Sequence, residues 1–308
     1  MKKPKISVII PLYNVERYIK RCLESLLIQS FKDFEVVVVN DVTPDNSMEI
    51  VRAFSEKWRN VTIVEHEKNM GLMWTRRTGY RVAKGDFFVF LDSDDWLPQD
   101  ALEILVKTIE QTKADIVCGS FVKADDNGGC LTVHNRLDYG ETSEYVFKAL
   151  LKNEFCHNLW GKIYDSALFS RFSYDTFPDF TNGEDGLLFY QILINTSKVV
   201  AIPDNVYFYY HNKQSSTKVK YSDRAIESIV ILNKYRVKIL NGYPRLRRLC
   251  ERKISSILIN LLYSTKKKAL LLDLLKKYGL MYYVRNTTIL KNHSVIKSVE
   301  LLVKKYIS

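Results

Sequence analysis

Phe87-Phe88-Val89-Phe90-Leu91-Asp92-Ser93-Asp94-Asp95-Trp96 is the stretch of this 308-residue chain that decides the fold. Its first five residues are all apolar, which is typical of a strand buried on both faces in the middle of a parallel sheet. Three carboxylates follow within four positions, and we call Asp92–Asp95 the acidic motif. Ligands of open parallel sheets bind beyond the carboxyl ends of the strands, so the acidic motif is predicted to face a binding crevice.

Residues 5–120 alternate short apolar runs with amphipathic stretches, and this rhythm predicts an α/β fold with a mostly parallel central sheet. The predicted strands are 6–10, 35–39, 61–64, 87–91 and 116–121, and the predicted helices are 15–30, 47–58 and 74–84. The first helix is expected to bury Ile19, Cys22, Leu23, Leu26 and Leu27. Polar residues also follow the first two strands, at Tyr13-Asn14 and Asn40-Asp41, so we expect three polar turns to meet in one crevice.

The rest of the chain carries a weaker α/β pattern and then becomes helical. A hairpin turn is predicted at 125–129, a helix at 143–152, a loop at 177–186, and helices at 222–240, 245–264 and 268–283. These patterns predict a division into residues 1–211 and an appended basic helical region at 212–308.

Composition indicates a folded protein of a reducing compartment. Hydrophobic residues make up 46% of the chain and charged residues 26%, as in ordinary globular domains. The five cysteines are scattered and form no CxxC pair, so we expect free thiols. The first apolar run is too short for a signal peptide. The sequence contains no run of eighteen apolar residues, so no membrane span is predicted. The chain is therefore expected in the cytoplasm.

Positive charge is concentrated in the last third of the chain, where residues 212–308 hold 22 Lys and Arg against 5 Asp and Glu. An apolar stripe at helical spacing runs through the same region, at Leu246, Leu249, Ile254, Ile257, Leu258, Leu261 and Leu262. One interpretation is a helix that lies on an anionic membrane surface. The other is that the stripe packs inside the protein and the cations are solvated. No nucleic-acid-binding module accompanies the charge, so nucleic acid is not an expected partner.

The acidic motif is the strongest chemical signal, because three adjacent carboxylates repel one another unless something positive shares the site. A divalent Mn or Mg ion, which keeps waters and bridges to the phosphates of a ligand, would supply that charge. The alternative is a solvated acidic turn in which Asp95 or Asp100 caps the next helix.

Four segments resemble motifs of the family 2 glycosyltransferases, which have the GT-A fold. They are Ser7-Val8-Ile9-Ile10-Pro11-Leu12-Tyr13-Asn14, Val39-Asn40-Asp41, Asn69-Met70-Gly71-Leu72 with Arg76, and Gly85-Asp86 through Asp95. The order and spacing agree over about residues 5–120. Weaker resemblance extends to 158–164, 183–185 and 209–216.

The resemblance implies a role for each matching residue in binding a nucleotide sugar. Asp41 would hydrogen-bond the nucleobase in a pocket lined by Pro11 and Tyr13. Asp92, with Ser93 beside it, would face the ribose, and Arg76 would help to neutralise the phosphates. Asp94, with Asp95 as the other candidate, would hold the metal ion.

The resemblance also implies the reaction: a sugar moves from a nucleoside-diphosphate sugar, such as a UDP-sugar, to a hydroxyl of a glycan or lipid-linked acceptor. The anomeric configuration would invert, in bacterial cell-surface polysaccharide synthesis. Asp185, with Glu184 as the nearby alternative, would be the base that accepts the proton of the attacking hydroxyl. A plain structural role, capping the apolar helix that begins near Leu187, is the competing interpretation. Residues 1–120 would bind the nucleotide sugar and 121–211 the acceptor side.

Two departures from the family pattern bear on the nucleotide turn and the phosphate site. Many relatives have Asp-Asp-Gly-Ser-Thr-Asp where this chain has Asn40-Asp41-Val42-Thr43-Pro44-Asp45, so the shape of the turn is open. Arg77 follows Arg76 where relatives often have Asn, and it either contacts phosphate or is solvated.

Two other functions share an acidic α/β crevice. A sugar-phosphate nucleotidyltransferase, or another metal-dependent nucleotide enzyme, would need a glycine-rich phosphate loop after the first strand, and Pro11-Leu12-Tyr13-Asn14 is not one. A non-catalytic membrane-surface protein is the second alternative. Oligomeric state and the identity of the sugar depend on shape, which the residue pattern does not specify.

Overall fold

The chain forms two compact units in a computed structural model that describes residues 3–58, 60–125, 130–134, 141–151, 155–171, 183–210 and 222–285. The first unit comprises residues 1–172 and 192–213, and the second comprises 173–191 and 214–308. Residues 173–191 thus group with the C-terminal helices, and the boundary after residue 211 stays a prediction.

The first half of the chain is the alternating α/β pattern that the sequence predicts. Its strands are β1 (Ile6–Leu12), β2 (Phe34–Asn40), β3 (Val61–Glu65) and β4 (Phe87–Phe90), and its helices are α1 (Ile19–Leu27), α2 (Ser47–Lys57), α3 (Leu72–Val82) and α4 (Ala101–Thr112). The helix predicted from Val15 begins only at Ile19, and the backbone N–H groups of Val15 and Glu16 donate to the side chains of Ser47 and Asp45. Leu27 is 40% exposed, so the prediction that it joins the buried face of α1 was wrong, whereas Ile19, Cys22, Leu23 and Leu26 are buried.

The second half of the first unit extends the same sheet. It adds β5 (Ile116–Ala124), β6 (Cys130–Val133), β7 (Lys162–Asp165) and β8 (Val199–Tyr210), with α5 (Ser143–Leu151) and a 3-10 helix (Ser166–Arg171). The predicted hairpin is confirmed by the antiparallel pairing of β5 with β6, although residues 126–129 of its turn lie outside the described residues. The strand order is β3-β2-β1-β4-β7-β5-β6, and β8 pairs with β5.

Strand directions decide which residues meet at one edge of this sheet. β1 to β4 are mutually parallel, β7 is antiparallel to both β4 and β5, and β8 is parallel to β5. It follows that β5 and β8 run in the same direction as β1 to β4. The carboxyl ends of β2, β1, β4 and β8 therefore share one side of the sheet, which we call the crevice edge.

The core of the first unit lies around β1 and β2, in which every residue is buried. Val36, Val37, Val38 and Val39 are fully buried on alternating faces, as expected for a strand covered by helices on both sides. Each such side chain contributes about 1.5–3 kcal/mol of hydrophobic stabilisation. This packing holds the strand ends, and the turns that follow them, in fixed positions.

The second unit is helical. It contains α6 (Glu184–Ile194) as far as Gln191, then α7 (Asp223–Ile239), α8 (Pro244–Ser264), α9 (Lys268–Lys277) and α10 (Met281–Arg285). The prediction of a single helix over 268–283 is wrong. The helix ends after α9, where Gly279 takes a left-handed conformation with φ +69°.

The apolar stripe of α8 is mostly buried, with Leu246, Ile254, Leu258, Leu261 and Leu262 at 9% exposure or less. α8 packs on α7 and α10, so internal packing accounts for the stripe. Exposed cations, including Arg245, Arg248 and Arg252, lie outside it. In the part of the chain that the structure describes, every helix is too short or too polar to cross a membrane.

Candidate active site

The three predicted polar turns meet at the crevice edge, because β1 lies between β2 and β4 in the sheet. Pro11 is buried in β1, two residues beyond the last pairing of β1 with β4, so its missing N–H costs no hydrogen bond to that neighbour. Tyr13 follows and is 49% exposed. Both residues therefore lie at the crevice edge, and their contact with a ligand stays a prediction.

Asp41 is buried and its carboxylate organises the loop between β3 and α3. Its Oδ1 accepts hydrogen bonds from the backbone N–H of Met70 (2.7 Å) and from Nδ1 of His66 (2.7 Å), and its Oδ2 accepts one from Gly71 N–H (2.8 Å). The other ring nitrogen of His66 lies 2.8 Å from Thr78 Oγ1. His66 was not predicted from the sequence, because a single histidine after a strand belongs to no recognisable motif.

The turn after β2 contains a left-handed residue that is not a glycine. Val42 has φ +58°, a conformation that strains a β-branched residue. Around it, Asn40 Oδ1 accepts from Thr43 N–H (2.9 Å), and Thr43 Oγ1 donates to Asp45 (2.6 Å). Burial acts to raise the pKa of Asp45, but hydrogen bonds from Ser47, Thr43 and nearby backbone groups lower it below its usual value. This network holds the strained turn.

Arg76 is 1% exposed and forms a buried ion pair with the acidic motif, because its Nη2 lies 2.7 Å from Asp92 Oδ1. The Asp92 side chain is 22% exposed. A buried cation that pairs with a partly exposed carboxylate reduces the negative charge that this end of the crevice presents to a ligand. The neighbouring Arg77 stacks on Trp74, with its guanidinium 4.7 Å from the ring centroid.

The Asp95 side chain links the acidic motif to β8 through hydrogen bonds. Its side chain is buried, its Oδ2 accepts a hydrogen bond from Tyr207 Oη (2.7 Å), and its Oδ1 accepts one from Tyr210 N–H (2.7 Å). Tyr207 Oη also accepts a hydrogen bond from Asp92 N–H (3.1 Å). Burial and the charges of Asp94 and Asp92 raise the pKa of Asp95 well above its usual value. Both oxygens of Asp95 are therefore engaged inside the protein.

Arg21 supports the acidic motif from α1, a second contact that the sequence did not indicate. Its Nη2 donates to the backbone carbonyl of Asp94 (3.0 Å). Its guanidinium lies 3.7 Å from the ring centroid of Trp96 and 4.6 Å from that of Tyr210. The ring contacts and the hydrogen bond of Arg21 together hold the backbone of Asp94 in place.

Asp94 is the carboxylate of the motif best suited to a cation. It is half-buried, and burial and the charge of Asp92 raise its pKa to about 6, against the lowering effect of Arg21 and Arg76. An added positive charge would relieve this repulsion. Ser93 is buried beside it. The described residues contain no group of three or more His, Cys, Asp or Glu side chains placed to hold a metal ion, so ligand phosphates and water would complete such a site.

Glu184 and Asp185 begin α6 in the second unit, directly after Gly183, which has φ +93°. Asp185 is half-buried, and the side chain of Glu184 lies outside the described residues. The acidic motif belongs to the first unit, so the assignment of a base to this pair stays a prediction. The loop residues 177–182 and Ser215-Ser216 also lie outside the described part.

The parallel sheet, the acidic motif after β4 and the carboxylate-centred turn after β2 together define a glycosyltransferase of the GT-A class. Residues 7–177 match the sequence family described as Glycosyl transferase family 2, so the chain belongs to this family.

Curated relatives carry glycosyltransferase names. The chain is 34% identical to Glycosyltransferase GlyA of Streptococcus pneumoniae over 78% of its length, and it spans only 35% of that longer protein. It is 29% identical to EpsJ of Bacillus subtilis, an uncharacterized glycosyltransferase, over 78% of its own length and 71% of EpsJ. The crystal structure of Staphylococcus aureus TarS residues 1–349 with UDP-GlcNAc superposes with a TM-score of 0.71 at 20% identity, over 98% of this chain and 92% of TarS. The predicted fold is thereby confirmed.

Proposed function

We propose that this chain transfers a sugar from a UDP-sugar to a hydroxyl of a glycan or lipid-linked acceptor, with inversion, in the synthesis of a bacterial cell-surface polysaccharide. The observation that carries the proposal is the crevice edge, where the Asp41 turn and the half-buried Asp94 lie one strand apart, with a buried arginine beside the acidic motif. The fold neighbour TarS binds UDP-GlcNAc and UDP. TarS is named a poly(ribitol-phosphate) N-acetylglucosaminyltransferase, which supports a cell-surface glycan as acceptor.

Hydrogen-bonding capacity supports the assignment of the nucleobase to Asp41. Among the residues that the structure describes, Asp41 Oδ2 accepts one hydrogen bond, from Gly71, whereas Oδ1 accepts two. A carboxylate oxygen has two acceptor positions, so Oδ2 has room for one more N–H donor. The imide N–H of uracil is such a donor. Pro11 and Tyr13 would line this end of the crevice, and Asp92 with Ser93 would lie towards the ribose.

Asp94, rather than Asp95, would hold a Mn or Mg ion. Both oxygens of Asp95 are engaged by β8, whereas Asp94 is half-buried in a site where a cation is favoured. Such an ion offsets the negative charge that builds up on a departing nucleoside diphosphate. Arg76 would act with it by neutralising Asp92.

Asp185, with Glu184 as the alternative, would accept the proton of the acceptor hydroxyl as that oxygen attacks the anomeric carbon. The new C–O bond forms opposite the breaking bond to the phosphate oxygen, so the configuration inverts in one step. This role is supported by the resemblance of Gly183-Glu184-Asp185 to the family motif.

We propose, from charge alone, that the basic region at 212–308 docks on the cytoplasmic face of an anionic membrane. Residues 222–285 hold 15 Lys and Arg against 4 Asp and Glu. The buried stripe of α8 is not available for insertion. We further propose residues 1–120 as the donor-binding part and 121–211 as the acceptor side of one catalytic domain.

A direct test measures UDP release from a panel of UDP-glucose, UDP-galactose, UDP-GlcNAc and UDP-GalNAc, with Mn present and with excess chelator. At least one donor should release UDP faster with the chain than without it, and chelator should abolish the difference. Full turnover in chelator would contradict the role of Asp94. Release of UDP from no donor, together with the absence of UDP binding, would contradict the proposed function.

A further inference from the structure

The segment Asn158-Leu159-Trp160-Gly161-Lys162 forms a turn that is held in place by a buried lysine. Lys162 is 1% exposed, and its Nζ donates to the backbone carbonyl of Asn158 (2.6 Å). Asn158 Nδ2 in turn donates to the carbonyl of Trp160 (3.0 Å). Gly161 has φ +69°, a conformation that a residue with a side chain rarely adopts. These contacts fix the direction in which Trp160 points.

Trp160 forms an aromatic wall with β8. Its ring stacks on Tyr207 (4.6 Å between centroids, 13° between planes) and on Tyr209 (5.1 Å, 12°), and Phe121 meets it edge-on at 4.7 Å. Tyr207 is the residue whose hydroxyl binds Asp95 and the backbone of Asp92. The wall is therefore attached directly to the acidic motif.

Tyr209 is the member of this wall that is half-buried rather than buried. It lies on the same face of β8 as Tyr207 and two residues nearer the crevice edge, because side chains alternate along a strand. Its hydroxyl makes no hydrogen bond within the described ranges of the chain. A tyrosine hydroxyl carries its proton at neutral pH, so Tyr209 can donate a hydrogen bond to a ligand.

The positions along the crevice edge match the order of groups in a nucleoside-diphosphate sugar. Asp41 follows β2, the acidic motif follows β4, and Tyr209 lies at the end of β8, farther along the sheet in the same direction. With the base at Asp41 and the diphosphate at Asp94, the next group of the ligand is the sugar. A tyrosine stacked on a tryptophan presents both an apolar ring edge and a polar hydroxyl, which suits a pyranose.

We propose that Tyr209 binds the sugar of the donor: its hydroxyl hydrogen-bonds a sugar hydroxyl, and Trp160 holds the tyrosine ring in place. This inference rests on the proposed function and assigns the residues that recognise the transferred group.

The test compares Tyr209→Phe with the wild-type chain by calorimetric titration of UDP and of the best UDP-sugar from the four-member panel, with Mn present. Phenylalanine keeps the stack on Trp160 and removes only the hydroxyl. Affinity for the UDP-sugar should fall about three- to tenfold, the value of one hydrogen bond, while affinity for UDP stays unchanged. Tyr145→Phe, which changes a tyrosine that is 42% exposed on α5, is the matched control and should alter neither affinity.

Two results would overturn the inference. One is an unchanged affinity of Tyr209→Phe for the UDP-sugar, and the other is an equal loss for UDP and UDP-sugar, which would mean a structural or phosphate contact. A wild-type chain that binds neither ligand would instead contradict the proposed function itself, so the two failures are distinguishable.

Discussion

Two buried carboxylates at the crevice edge, Asp41 and Asp95, are held by very different parts of the chain. Asp41 binds His66, Met70 and Gly71, which lie 25 to 30 positions away in the next crossover. Asp95 binds Tyr207 and Tyr210, which lie 112 and 115 positions away on β8. The turn after β2 is thus organised by the crossover that follows it, whereas Asp95 depends on the second half of the first unit.

The difference separates the effects that mutations should have. A change near Asp41 should alter donor binding and leave the rest of the sheet in place. A change near Asp95 should affect both the acidic motif and the position of β8, because the Asp95 carboxylate bonds two residues of that strand. Asp94 lies beside Asp95 but takes no part in that connection, so its loss should reduce activity without loss of stability.

The largest effect is expected for Asp94→Asn. The substitution keeps the size of the side chain and removes the charge that would hold a cation, so UDP release should fall by about a hundredfold or more. Steady-state assays with a Mn titration measure the loss. Asp100→Asn, an exposed acid at the start of α4, is the control and should retain wild-type rates. Activity of Asp94→Asn equal to that of the control would remove Asp94 from the site.

Tyr207→Phe should produce a combined loss of stability and activity. It deletes the hydroxyl that donates to Asp95 and accepts from Asp92 N–H, and so leaves a buried carboxylate and a part-buried N–H group without that partner. The free energy of unfolding should fall by about 1–3 kcal/mol, as measured by urea denaturation. Tyr145→Phe serves again as the exposed control. A variant with full stability and reduced activity would show that other contacts hold β8 in position.

His66→Ala should weaken donor binding with little change in kcat. Asp41 keeps its two backbone donors and loses the imidazole, so its carboxylate is less firmly oriented. An increase in the KM for the UDP-sugar of about three- to tenfold is expected. His134→Ala changes an exposed histidine of the first unit and should leave KM unchanged. A fall in kcat without a change in KM would place His66 in the chemical step instead.

The same contrast explains what could be predicted from sequence. Strand–helix periodicity over residues 5–120 places Asp41 and the acidic motif at strand ends, and the strand order confirms that they share an edge. β8 was not predicted, because Pro203-Asp204-Asn205 interrupts its apolar pattern as a turn would, whereas the structure accommodates these residues with an irregular register against β5. Without β8, neither the partners of Asp95 nor the wall at Tyr209 could be inferred. Long-range pairing depends on packing of the whole sheet, which local patterns do not encode.

The smallest effect concerns the turn after β2, where Val42→Gly should stabilise the protein by about 0.5–1 kcal/mol. Glycine removes the penalty that a β-branched residue meets at φ +58°, and this gain exceeds the added freedom of glycine in the unfolded chain. Donor KM should stay unchanged, because the Val42 side chain is 43% exposed and the turn is held by Asn40, Thr43 and Asp45. Urea denaturation measures the change, and Val42→Ala is the control: it keeps a Cβ at the same φ and should gain less. Destabilisation by glycine would mean that the valine side chain, not the surrounding hydrogen bonds, holds the turn.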